Sequence, residues 1–208
     1  MPKGSPERTA ARKEEIIRAC EKLYQTMSFR EITLKEIGKE TSFSRPAIYN
    51  YFQTKEEIFL ALFKKEYERW NEELEKIIAE NETLTGKETA EKIAGSLAER
   101  EQLLKLLAMN NYDMEANSRP ENLTDFKRAY GRSIENIRRI LDKFCPEMSE
   151  DEKQNIIYVF FPFMFGIYPY AVVTEKQKAA MKEAGVNYMY QSVYEITCRC
   201  LIRLLQAE

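Results

Sequence analysis

The chain has 208 residues, of which 44% are hydrophobic, and a formal net charge of −2, so it can bury a core without disulfides or metals. It contains no histidine, and its four cysteines form no C-x-x-C pair, which excludes the usual structural zinc sites. Residues 1–20 are charged and polar and lack the apolar core of a signal peptide. We therefore expect a reduced cytoplasmic protein that needs no cofactor.

Charge is distributed unevenly along the chain. Residues 1–55 carry 11 Lys and Arg against 7 Asp and Glu, whereas residues 56–208 carry 21 against 27. A basic amino-terminal segment favours a polyanionic partner, but an excess of this size also occurs on ordinary solvated surfaces. Charge alone therefore leaves both interpretations open.

The amino-terminal quarter begins with two predicted helices. Apolar residues recur at spacings of three and four over about 8–27, which predicts a first amphipathic helix. Thr33-Leu-Lys-Glu36 is a capping-box pattern, in which the threonine hydroxyl and the glutamate each satisfy a free backbone N–H. It predicts a second, short helix that ends near Glu40.

A third helix follows at once. Residues 41–43 form a turn too short to separate two helices, Ser44 is the next N-cap, and Pro46 lies in the first turn, where its missing donor is harmless. Two short helices across a tight turn predict a helix-turn-helix motif.

Helical periodicity continues to the end of the chain, which predicts an all-α fold. Thr54 and Glu57 form a second capping-box pattern, and Ser149 and Glu152 form a third. The first domain is predicted at 1–53, with the start of the fourth helix extending it to about residue 64, and a helical domain at 54–208. The remaining predicted helices cover about 54–80, 85–100, 101–117, 121–144, 149–173 and 185–206.

Residues 156–173 contain no charged side chain. Eighteen uncharged residues reach the lower limit of a membrane span, but Pro162, Gly166 and Pro169 interrupt the run and no second span accompanies it. The alternative is a helix buried on every side. Because a chain of this size hides few helices completely, we expect one face to meet a second copy, in a two-fold homodimer built on the last two helices.

The stretch TLKEIGKETSFSRPAIYNYFQTKEEIFLALF, residues 33–63, resembles the helix-turn-helix core of the TetR family of bacterial transcription regulators. The resemblance covers about residues 8–64 and includes the Y-x-Y-F segment and the Lys-Glu-Glu that opens a long helix. Ser42 replaces a glycine that is usual in the turn. If the turn requires a glycine-like backbone angle, the replacement costs roughly 1 kcal/mol.

The first residues of a recognition helix enter the major groove, while neighbouring residues grip phosphates. Arg45 lies at that position, and its guanidinium group can donate two hydrogen bonds to one guanine, at O6 and N7. Ile48 and Phe52 are four apart and are expected to point into the core. The predicted DNA-contacting residues are Thr33, Lys35, Ser44, Arg45, Pro46, Ala47, Tyr49, Asn50, Tyr51, Thr54 and Lys55.

Several of these residues have a simpler interpretation. Thr33 and Thr54 lie at helix N-termini, where a hydroxyl and free N–H groups suit a phosphate, but both could be helix caps alone. Lys35 and Asn50 could be solvated surface residues. Arg45, Tyr49 and Lys55 fall at matching positions of the family pattern.

The resemblance implies that the carboxy-terminal domain dimerises and encloses a small-molecule pocket. A ligand there would tilt the long helix of residues 54–80 and change the distance between the two DNA-binding domains of the dimer. These domains need half-sites about one helical turn apart. The predicted ligand would be amphipathic or aromatic, and cationic if Glu115 points inward; ordinary core and surface is the alternative. The candidate pocket residues are Asn110, Asn111, Met114, Glu115, Phe163, Phe165 and Tyr168.

We therefore predict a ligand-responsive repressor that binds a palindromic operator as a homodimer, without a membrane partner, metal or catalytic residues. An enzyme is disfavoured because the chain lacks histidine, a nucleophile elbow and a phosphate-binding glycine loop. A dimeric helical binding module without DNA-binding activity is the alternative.

Overall fold

The computed structural model describes residues 5–109 and 111–207, apart from the side chains of Arg45 and Asn111. Within these residues every regular element is an α-helix, which confirms the predicted all-α fold. The helices are α1 Pro6–Thr26, α2 Leu34–Lys39, α3 Arg45–Ile48, α4 Lys55–Glu80, α5 Gly86–Ala98, α6 Glu101–Leu107, α7 Asn111–Ala116, α8 Pro120–Phe144, α9 Glu150–Ala171, α10 Glu175–Glu183 and α11 Val193–Leu204.

Two compact units divide these helices. The first contains the described residues of 1–66 and 110–130, and the second contains those of 67–109 and 131–208. The first unit is discontinuous, since residues 111–130 return to it from the middle of the sequence. The predicted boundary at 53/54 concerns domain function and stays a prediction.

The first unit is organised around the start of α4. The ring of Phe59 lies 5.1 Å from that of Tyr24 and 4.8 Å from that of Phe29, both edge to face. Lys65 binds Glu14 at 2.7 Å and Glu21 at 2.9 Å, which ties α4 to α1. Aromatic packing and paired charges thus fix α4 against α1.

The second unit packs α11 against α5 and α9, and α6 against α9. Trp70 is fully buried here. Its indole Nε1 donates to Ser96 Oγ at 3.1 Å, and its ring lies 6.1 Å from that of Phe161. The tryptophan therefore connects α4, α5 and α9 within this unit.

Local capping signals located several helices correctly. Ser149 with Glu152 forms the predicted capping box at the start of α9. Thr85 with Glu88 forms another at the start of α5, where a helix was predicted from residue 85. At Thr54 only half of the box forms, because the Glu57 amide donates to Thr54 Oγ1 while the Glu57 carboxylate accepts from the Gln53 amide.

Two predicted helices are wrong in part. The helix predicted over 101–117 is broken, since α6 ends at Leu107 and α7 begins at Asn111. The Met109 amide donates to Leu106 O at 3.1 Å, which tightens the last turn of α6. Consecutive asparagines follow in the sequence, and asparagine favours turns and caps over helix interiors.

The last helix was predicted over 185–206, but it starts only at Val193. Gly185 has φ +67°, and the amides of Gly185 and Val186 donate to carbonyls of the last turn of α10, an ending that favours glycine. Met189 lies within the range predicted for this helix, but it is 74% exposed. The sequence analysis predicted neither α10 nor the start of α11. Capping boxes at Thr174 and Ser192 are the local sequence signal that marks both starts.

The uncharged run of residues 156–173 forms most of α9. No single described helix is long and apolar enough to cross a membrane; α9 and α10 together reach that composition but are bent by 83°. One face of α9 is buried, whereas Tyr158 is 70% exposed on the other. Within a single chain α9 is therefore buried on one face only. The other face is open, and its expected contact with a second copy stays a prediction.

Candidate nucleic-acid interface

The helix-turn-helix is formed by α2, residues 41–43 and α3. Thr41 Oγ1 lies 3.1 Å from the carbonyls of both Gly38 and Phe43, so one hydroxyl bridges the end of α2 and the start of the next segment. The turn is thus closed by a side chain, without a glycine.

The expected strain at Ser42 is absent. Among the described residues, Gln206 is the only non-glycine with a positive φ, so Ser42 has an ordinary backbone angle and the predicted cost does not arise. Helix α1 holds this turn. The Ser42 amide donates to Glu15 Oε1 at 2.5 Å, and Arg12 donates to Ser42 Oγ at 2.7 Å. Hydrogen bonds from the Ser42 amide and hydroxyl lower the pKa of Glu15 below its usual value.

The recognition segment, residues 45–52, has one buried face and one exposed face, as predicted. Ile48 and Phe52 are buried in the first unit, and Tyr49 is 48% exposed. Pro46 and Asn50 are also exposed, and Ala47 is half-buried. This places three predicted contact residues on the surface.

Of the other predicted DNA-contacting residues, two differ from expectation, and the side chain of a third lies outside the described residues. Tyr51 is half-buried, with its ring 6.2 Å from that of Phe43, so its aromatic face is engaged within the motif. Ser44 occupies the N-cap position of α3, but its side chain makes no capping bond to a described residue. The predicted Ser44 cap is therefore wrong in its hydrogen bond. The side chain of Arg45 lies outside the described residues.

The start of α2 presents Thr33 and Lys35 to solvent. Thr33 Oγ1 accepts from the Lys35 amide at 3.2 Å and the Glu36 amide at 3.4 Å, and its hydroxyl also contacts the Glu36 carboxylate. Thr33 is therefore a working helix cap. Its exposed position leaves the predicted phosphate contact compatible with that role.

Lys55 is more deeply engaged than the sequence predicted. Its Nζ donates to Phe29 O at 2.8 Å and to Ile32 O at 3.3 Å, and lies 4.0 Å from the centre of the Phe29 ring. An ammonium group has three donors, and these carbonyls occupy two of them. Lys55 thus braces the loop before α2, and its DNA contact stays a prediction.

Sequence reasoning missed an ion pair between Glu57 and Arg119, which are 62 residues apart. Arg119 Nε donates to Glu57 Oε1 at 2.7 Å, and a terminal guanidinium nitrogen donates to Oε2 at 2.9 Å. That same nitrogen donates to Tyr51 O at 3.2 Å. The only local signal was the capping pattern at Glu57, and that pattern predicts an exposed glutamate.

Glu57 has no exposed surface. Burial by itself would raise the pKa of Glu57, but hydrogen bonds from the Arg119 side chain and from the Gln53 and Arg119 amides hold that pKa below its usual value. The carboxylate therefore stays ionised inside the first unit because four N–H donations surround it.

The predicted ligand residues fall in both units. Asn110 and the Asn111 side chain lie outside the described residues. In the first unit Met114 is buried, and the Glu115 carboxylate pairs with Lys127 at 2.6 Å, so its charge is already partly neutralised.

Three predicted aromatic ligand residues lie on α9 in the second unit. Phe165 is exposed, whereas Phe163 and Tyr168 are half-buried, and burial raises the pKa of Tyr168. An open depression of about 220 Å³ lies in this unit, and it is lined by other residues of α9 and by the end of the chain. The predicted pocket thus stays a prediction.

Family comparisons agree with this architecture. A model described as bacterial regulatory proteins, tetR family, matches residues 16–62, and a model described as tetracyclin repressor-like, C-terminal domain, matches residues 64–192. The fold and site define a helix-turn-helix regulator. The second match covers more than half of the chain, and the chain belongs to the TetR family, as residues 33–63 predicted.

Curated relatives match only part of this chain. An HTH-type transcriptional repressor of Mycobacterium tuberculosis is 29% identical over 69 residues, which cover 33% of this chain and 37% of the relative. An uncharacterized HTH-type transcriptional regulator of Bacillus subtilis is 34% identical over 58 residues, 28% of each chain. The chain thus matches about a third of the length of these relatives.

Solved structures resemble the whole fold. The regulator FadR of Bacillus subtilis, in complex with stearoyl-CoA, has a TM-score of 0.60 and 17% identity, covering 94% of this chain and 98% of its own. FadR of Thermus thermophilus, in complex with lauroyl-CoA, has a TM-score of 0.58 and 20% identity, covering 93% of each chain. The regulator PfmR of Thermus thermophilus has a TM-score of 0.63 and 15% identity, covering 92% and 97%. At 15–20% identity, these structures show that the chain shares their fold and nothing further.

Proposed function

We propose that this chain is a ligand-responsive transcription repressor that binds a palindromic operator as a homodimer in the bacterial cytoplasm, acting by binding rather than by catalysis. The observation that carries the proposal is that the recognition segment has two distinct faces, since Ile48 and Phe52 are buried and Tyr49 is exposed. Membership of the TetR family supports it.

The exposed set has the chemistry that duplex DNA requires. Thr33 and Lys35 lie at the start of α2, where an α-helix amino terminus and a cation both suit a phosphate. Tyr49 offers apolar area and one hydroxyl, and Pro46 and Ala47 allow close approach to a thymine methyl. Arg45 is proposed as the guanine reader.

The open face of α9 supports a homodimer. Tyr158, Val159, Phe165 and Tyr170 are exposed there, and the helix carries no charged residue after Lys153. A contiguous apolar face of this kind favours a protein partner. We propose that a second copy covers it, so that α9 and α11 of two chains form the two-fold interface predicted from the sequence.

The proposed ligand is an amphipathic or aromatic small molecule that binds the predicted helical domain of residues 54–208. Operator and ligand would each favour a different dimer geometry, and the coupling between them is reciprocal. Stearoyl-CoA and lauroyl-CoA, which the two FadR structures bind, are amphipathic and are the first compounds to try.

The test is the salt dependence of duplex binding, measured by fluorescence anisotropy with labelled duplexes. Because Lys and Arg contacts release phosphate counterions, affinity should fall about 100-fold or more between 50 and 200 mM salt. Addition of an acyl-CoA should weaken binding if it is a ligand of the proposed kind. Binding that is absent at every salt concentration would instead favour a helical module without DNA-binding activity.

A further inference from the structure

We propose that Arg119 is a positioning residue for the DNA-recognition segment, although it lies outside the helix-turn-helix at the junction of α7 and α8. It would hold the segment of residues 49–53 in its reading conformation through Tyr51 O and Glu57. This inference rests on the proposed DNA-binding function and names a residue that tunes that same site.

The guanidinium group of Arg119 holds the segment of residues 49–53 at two points, directly at Tyr51 and through Glu57 at Gln53. It donates directly to Tyr51 O at 3.2 Å, and it holds the Glu57 carboxylate, which accepts from the Gln53 amide at 2.8 Å. At its other end the segment continues α3, since the amides of Tyr51 and Phe52 donate to Ile48 O. Arg119 therefore closes the segment between α3 and α4.

A second contact docks the same junction. Thr54 Oγ1 donates to Asn117 O at 3.0 Å, and the Arg119 amide donates to Glu57 Oε1 at 3.1 Å. Phe126, early in α8, has its ring 4.9 Å from that of Phe63. Residues 117–126 are thus bound to Thr54 and to α4 by hydroxyl, backbone and aromatic contacts, all within the first unit.

The guanidinium group suits this position better than an ammonium group would. It is planar and presents several donors in a fixed fork, so it can bind both carboxylate oxygens and a carbonyl at once. Arg119→Lys keeps the charge but loses this geometry. An ion pair that served only to neutralise Glu57 would need the charge alone.

Loss of Arg119 also leaves a buried carboxylate without its cation, and the folded state could weaken for that reason alone. The double variant Glu57→Gln/Arg119→Met separates the two effects. It removes the buried charge together with its partner, so stability should recover. The bond to Tyr51 O stays absent in the double variant, so positioning should not recover.

The experiment measures two quantities for the full chain: denaturant-induced unfolding, and affinity for the duplex that the wild-type protein binds best. Arg119→Met should lose stability and bind at least tenfold more weakly. The double variant should unfold near the wild-type midpoint and still bind at least tenfold more weakly. Arg119→Lys should have an unfolding midpoint between those of these two variants, and it should also bind the duplex more weakly than the wild type. Affinities are compared in buffer without denaturant, where circular dichroism establishes the folded fraction.

Lys127→Met is the matched control, because it breaks an exposed ion pair with Glu115 in the same unit and should leave affinity unchanged. Wild-type affinity in the double variant, or in Arg119→Lys, would overturn the assignment and leave Arg119 a structural partner of Glu57. Wild-type protein that binds no duplex would instead overturn the proposed DNA-binding function, which separates the two failures.

Discussion

Replacing Trp70 with alanine should lower the free energy of unfolding by about 3–5 kcal/mol, the usual cost of deleting a large buried aromatic side chain. Trp70 is fully buried and its ring meets Phe161 in the core of the second unit. The Ser96 hydroxyl would keep a partner, since it donates to Ile93 O at 2.9 Å. The loss should therefore come from the cavity rather than from an unpaired polar group.

Chemical denaturation followed by circular dichroism measures this effect. Trp70→Phe keeps an aromatic ring and should cost less than the alanine variant. Met189→Ala is the exposed control and should change stability by no more than about 0.5 kcal/mol. A Trp70→Ala midpoint that matches the Met189→Ala midpoint would show that the tryptophan does not hold this core together.

Replacing Arg45 with alanine should weaken binding to the preferred operator by about 1–3 kcal/mol and relax base preference at one position of each half-site. The reason is the loss of paired hydrogen bonds to one guanine. Binding to unrelated duplexes should change much less, because phosphate contacts carry most of it. Competition between operator duplexes that differ at single base pairs measures the preference.

Lys35→Ala is the control for Arg45, since Lys35 is exposed at the start of α2. Loss of a phosphate contact there should weaken all duplexes alike and reduce the salt slope by roughly one. If Arg45→Ala also weakened all duplexes equally, with base preference intact, Arg45 would be a phosphate contact and the proposed guanine reader would lie elsewhere.

Local chemistry explains which elements the sequence could predict. A capping box places its hydroxyl and carboxylate three residues apart, so Thr85 with Glu88 and Ser149 with Glu152 fix helix starts without tertiary information. The helix-turn-helix was predictable from the cap at Thr33, the short turn of residues 41–43 and Pro46 in the first turn of α3, although Ser44 makes no capping bond. The start of α11 was missed because the prediction followed apolar periodicity from residue 185 and did not use the capping pattern at Ser192.

The engaged state of individual side chains could not be predicted locally. Glu57 has the pattern of an exposed capping residue, yet it is buried because Arg119 reaches it from 62 residues further along the chain. Lys55 matches a family position for a DNA contact, yet two loop carbonyls already occupy two of its donors. Spacing shows which residues share a helix face, whereas these partners depend on how distant segments pack.

In the proposed binding mode, two copies of this chain bind adjacent major grooves of one duplex. Selection of bound sequences from a random duplex library by the wild-type protein is the test of this mode. Enrichment of an inverted repeat, with half-site centres about 10 base pairs or a multiple apart, is the result expected for a two-fold dimer. Recovery of unselected sequences, or of a single unrepeated site, would contradict two-fold binding by a dimer.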